Sequence, residues 1–74
     1  MSDIDPSAVA WLGRYAELLG VQAPCPSDLD IVLALAGEAA HRSHRQAAPV
    51  ACWLAATAGL SPQQACDLAR EVTL

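Results

Sequence analysis

Ser27-Asp28-Leu29-Asp30-Ile31-Val32-Leu33-Ala34-Leu35-Ala36 begins with polar, helix-starting residues and then runs apolar on nearly every side of a helical wheel. Ser27 with Asp30 approximates a capping box, the shorter acid standing where Glu is usual, so a helix is expected to begin at Asp28. Continued to about Ser43, its period places Leu29, Val32, Leu33, Leu35, Ala36, Ala39 and Ala40 on the buried side. A helix that is apolar all round at Ile31 to Leu35 has to be covered from more than one direction. That makes it the centre of a helical assembly.

Three more helices are expected around it. Asp5-Pro6 sets a capping carboxylate before a proline at the first helical position, and Gly20 supplies a left-handed stop. Between them Ala8, Trp11, Leu12, Tyr15, Ala16 and Leu19 share one face. Gly13 lowers helix propensity there, and the expected reason is a neighbour packed close to it. Val21 to Pro26, with Pro24 and Pro26, is expected to be non-helical.

Beyond the polar break His41-Arg42-Ser43-His44-Arg45-Gln46, Pro49 marks the start of a third helix. That helix carries Val50, Trp53, Leu54 and Ala58 to a stop at Gly59. Trp53, its largest apolar residue, is expected to be buried. Ser61-Pro62-Gln63-Gln64 is a full capping box with proline at the first position. The fourth helix that follows is expected to bury Ala65, Leu68, Ala69 and Val72. No strand pattern, repeat or low-complexity linker interrupts the reading. The fold class is therefore all-α, a compact bundle of four short helices at about 6–19, 28–43, 48–59 and 62–73, in one domain over residues 1–74.

Composition narrows the function classes. A chain of 74 residues buries only about 60% of the surface its unfolded form exposes, so its stability margin is thin. Much of its apolar content is alanine; it has no Phe, and its only aromatics are Trp11, Trp53 and Tyr15. Such a core brings helices close together but is not expected to line a ligand pocket of the usual size, about 300–1,000 Å³. The net charge is −4, and every cation is an arginine: Arg14, Arg42, Arg45 and Arg70. Without a basic stripe to displace counterions from phosphate, nucleic acid is not an expected partner. No apolar run approaches the roughly 20 residues that span a bilayer. The acidic start MSDIDPSAVAW does not read as a secretion signal, so the expected location is the cytoplasm. Cys25, Cys52 and Cys66 are odd in number and widely spaced, which points to free thiols rather than a disulfide framework. Cys25, in the proline-rich connection, is the one expected at the surface.

Reactive side chains gather in one place, His41 to Arg45. His41 and His44, three apart, could share a helix face, but a metal needs a further ligand. Cys25 or Glu38 would be candidates, but no spacing points to either. Basic residues that complement the negative end of the helix are the simpler reading of this cluster. A stronger functional reading is an anion site formed by His41, Arg42 and Arg45 with the amides of Gln46, Ala47 and Ala48 at the start of the third helix. The competing structural reading pairs Arg45 with Glu38 or Asp67. No catalytic set is complete: Cys25 has no sequence-legible base or orienting partner. The acids are spread along helix faces, and Ser27-Asp28-Leu29 has the wrong order for the Asp-Ser-Leu signature of a carrier protein. No cofactor is expected.

Trp11-Leu12 and Leu18-Leu19-Gly20 bracket the first helix. The run Asp28 to Ala36 follows, then Ala40-His41, Arg45, Ala47-Ala48-Pro49, Leu54 and Gly59. Over nearly its whole length this pattern resembles a small actinobacterial all-helical domain of unknown function. That domain occurs alone or fused behind a guanylyltransferase-like module of molybdenum-cofactor biosynthesis. Gln46 stands where the family usually has proline, and His44 where an acid is common, which weakens a two-histidine metal site further. The resemblance implies an accessory or interaction module that docks on a larger protein linked to molybdenum-cofactor maturation. The alternatives are the anion-binding domain and a homodimer that completes a thin core across a two-fold axis.

Overall fold

The computed structural model describes residues 4–73, so the ends of the domain expected over 1–74 lie outside the described residues. Among the described residues there are four helices and no strand: α1 (Pro6–Leu19), α2 (Pro26–Arg42), α3 (Ala47–Thr57) and α4 (Pro62–Ala69).

Each start has a local cause. The Asp5 carboxylate accepts the Ser7 N–H at 2.8 Å and the Ser7 hydroxyl at 2.7 Å, fastening the first turn of α1. Those two bonds hold the Asp5 carboxyl below its ordinary pKa. Gly20, at φ 75°, ends the helix in the left-handed region, where a side chain would be strained. At α4 the capping box forms in full: the Gln64 N–H donates to Ser61 Oγ at 3.2 Å, and the Ser61 N–H to Gln64 Oε1 at 3.1 Å.

α2 departs from expectation. It begins at Pro26 rather than Asp28, with Cys25 as its cap and no side-chain capping bond. The fixed φ of proline suits the first helical position, whose missing N–H has no partner to lose, so initiation moves ahead of Ser27. The Ser27–Asp30 box is thereby left inside the helix. Pro49 is likewise the third residue of α3 rather than its herald, tolerated because the first turn of a helix has no acceptor for its N–H groups. α4 ends at Ala69 instead of 73. Its continuation tightens into bonds from Glu71 N–H to the Leu68 carbonyl and from Val72 N–H to the Ala69 carbonyl.

α2 is the centre, as its all-round apolar character requires. α3 and α4 both pack along it, far less on each other, and α1 packs comparably on none of them. The core is small: Leu35, Ala65 and Cys66 are 3%, 6% and 2% exposed, ringed by half-buried Ile31, Cys52, Ala55, Leu60 and Ala69, while Ala16 of α1 is buried outside that cluster. Which faces were used explains four corrections. Trp53 is 66% exposed, because α3 turns its Cys52–Ala55 edge to α2 and the next residue points about 100° away. Leu33 is exposed for the same reason, lying about 200° round from Ile31. Leu68 and Val72 are exposed too, since α4 presents Ala65, Cys66 and Ala69 to α2. Nothing lies within 4 Å of a Cβ built on Gly13, so that glycine answers to no close neighbour.

The result is extended rather than spherical, with axes of 37, 25 and 21 Å and a radius of gyration of 12.5 Å. About 11 Å is usual for a domain of this length.

Candidate functional site

The polar cluster at the end of α2 is held by Glu38. Its carboxylate accepts Arg42 Nε at 2.9 Å from one turn onward and Arg70 Nε at 3.2 Å from the end of α4. The Arg42 bond, then the Arg70 bond, holds the Glu38 carboxyl below its ordinary value. Arg70 also faces Asp67 at 3.8 Å, and Arg42 Nη1 reaches the Val72 carbonyl at 3.5 Å. Arg42 is thus a strut between α2 and the chain after α4. The i, i+4 spacing of Glu38 and Arg42 was the signal that could have found this pair, where the sequence reading set Glu38 against Arg45. Arg70 had no such signal, because the sequence does not say that α4 returns to the same end of α2.

His41 and Arg45 are exposed. Among the described residues, no hydrogen bond or ion pair joins either side chain to Arg42. The acids that were to compete for Arg45 have other partners, Glu38 with Arg42 and Arg70, Asp67 with Arg70 and Gln63. The three amides at the start of α3 are also engaged. Gln46 N–H donates to His44 Nδ1 at 3.2 Å, Ala47 N–H to the His44 carbonyl at 2.8 Å and Ala48 N–H to the Arg45 carbonyl at 3.2 Å. An anion arriving here would meet side chains rather than a bare helix start.

The cysteines are free and graded in exposure: Cys25 exposed, Cys52 half-buried, Cys66 buried. Burial pushes the Cys52 thiol up, and Cys25 Sγ lies 3.3 Å from Ser27 Oγ, a neutral hydroxyl. Among the described residues, no three of His, Cys, Asp and Glu gather to hold a metal ion. No helix among them is long and apolar enough to cross a membrane.

Two apolar features stand out instead. The first is the outer face of α1. Trp11 and Tyr15, one turn apart, stack with centroids 5.1 Å apart, yet Trp11 is 63% and Leu18 86% exposed. Leu19 is exposed alongside them. The second is a groove between α3 and α4, floored by α2. It consists of two adjoining hollows of about 420 and 300 Å³ that share Ala51, Ala69 and Val72. Arg42 and Ser43 stand at one end, Leu60 at the other, with exposed Leu54 and Leu68 on opposite rims. Alanine was expected to leave no sizeable pocket. Here its short side chains leave room, because α3 and α4 lean on α2 and not on each other.

No curated protein and no solved structure matches the chain. The family model described as Domain of unknown function (DUF6457) matches residues 5–73, and the chain belongs to that family.

Proposed function

We propose that this protein is a non-catalytic helical docking module whose contact surface is the outer face of α1. The observation behind it is that α1 has an amphipathic pattern but no helix of its own chain covering its aromatic side. Monomeric soluble proteins keep contiguous apolar patches small, and larger ones mark interaction sites. The sequence resemblance makes molybdenum-cofactor maturation in the cytoplasm the setting to test first, with the guanylyltransferase-like module as a trial partner. The anion-binding alternative at His41, Arg42 and Arg45 has less support, since Arg42 is tied to Glu38 and the α3 amides are engaged.

A photo-crosslinking phenylalanine placed at Tyr15 tests the docking reading in living cells. Irradiation should give a defined protein adduct from position 15 and none from exposed, polar Gln63. No adduct, or the same smear from both positions, would overturn it.

A further inference from the structure

We propose that the occupant of the α3–α4 groove is α1 of a second copy of this chain, giving a reciprocal two-fold dimer. The inference rests on the docking reading and names its partner. One chain carries both a helix with an uncovered aromatic side and an open apolar groove. Trp11, Tyr15 and Leu18 stand at i, i+4 and i+7, the spacing with which a helix seats in a hydrophobic groove. α1 has 14 residues, about 21 Å of helix, longer than α3, which forms one wall. Leu54, Leu68 and Val72, exposed in the single chain, are the residues such a helix would cover.

The exposed area agrees with a dimer. The chain exposes 5697 Å², whereas a monomer of its mass is expected to expose about 4,300 Å². The excess, on the order of 1,000 Å² per chain, is what each partner buries in an obligate homodimer. It is more than most crystal-sized or transient contacts remove. Reciprocity follows from symmetry: in a two-fold pair each α1 fills the other's groove, so no apolar face is left over and no open chain of copies forms.

The α1–α2 connection favours a second copy over closure onto the same chain. Gly20 at φ 75° and the bond from Val21 N–H to the Ala16 carbonyl at 3.0 Å fix the direction in which the chain leaves α1. Pro24 and Pro26 then stiffen the remainder. Held this way, α1 stands off its own α3 and α4.

Sedimentation equilibrium of the full chain at about 100 µM should give twice the 7.7 kDa chain mass. Trp11→Glu spoils α1 and Leu68→Glu spoils the groove, so each variant alone should be monomeric. Mixed in equal amounts they should recover a dimer, because the intact α1 of one meets the intact groove of the other. Leu18→Glu provides a check against misfolding: its site is so exposed in the single chain that helicity by circular dichroism should be unchanged while the dimer is lost. A monomeric wild-type protein would overturn the proposal, whether α1 stays free or closes on its own groove. A dimer that the mixture fails to restore would overturn the reciprocal geometry in favour of α1 against α1. A monomer that still cross-links from position 15 to another protein sinks self-association alone, and a monomer with no adduct sinks the docking reading as well.

Discussion

Glu38 on α2 accepts Arg70 Nε at 3.2 Å across 32 positions of sequence, so one carboxylate ties the end of α4 to the central helix. Because the bonds from Arg42 and Arg70 lower the Glu38 pKa, the stabilisation they provide is complete above the ordinary carboxylate value. It is lost as pH falls through the lowered value. Glu38→Gln should therefore melt below the wild type at neutral pH, and the gap should close as pH falls below the ordinary carboxylate value. A gap that stays constant as the pH falls would show that Glu38 acts through packing and not through its charge.

Leu35 and Trp53 should behave in opposite ways to their sizes. Leu35, 3% exposed, is the large side chain of the core, and Leu35→Ala should cost about 2–5 kcal/mol, enough to unfold a chain this small. Trp53→Ala removes more atoms but from an exposed site, and should change stability by no more than about 0.5 kcal/mol. Thermal melts of the two variants settle the ranking.

Thiol reactivity should follow exposure. A native-state alkylation time course read by peptide mass spectrometry should modify Cys25 first and Cys52 more slowly, since burial raises the Cys52 pKa and reduces its thiolate. Cys66, 2% exposed, should react only on unfolding. Early labelling of Cys66 would mean that α4 separates readily from α2.

Two glycines should respond with opposite sign. Gly13 lies inside α1 with open space where a Cβ would go, so Gly13→Ala should stabilise the helix by about 0.5–1 kcal/mol. Slower amide exchange through Pro6–Leu19 is the measurement. Gly59 follows α3 at φ 74°, where an L side chain costs about 1–2 kcal/mol, so Gly59→Ala should lower the melting temperature.

How far the sequence could be read is clear from particular residues. Asp5-Pro6, Ser61-Pro62 and Gln64, Gly20 and Gly59 each mark a boundary that the structure keeps. A cap closes its bonds within three or four residues, and nothing distant is needed to form it. The start of α2 was misplaced because two local signals, Pro26 and the Ser27–Asp30 pair, compete over the same turn, and the proline prevails. At the candidate site, the free thiols and exposed Cys25 were legible, while the Glu38–Arg70 tie and the α3–α4 groove were not.

From local chemistry alone came the number of helices, both ends of α1, the start of α4, and the central place of α2, whose apolar circumference has to be covered on several sides. Packing settled the rest: that Trp53 and Leu33 face outward, that alanine leaves a groove, and that α1 stands apart with Trp11 and Tyr15 uncovered. A helical period records that a segment has an apolar side. Whether that side meets its own chain depends on how the connecting residues aim the helix axes, and this is a property of the assembled backbone.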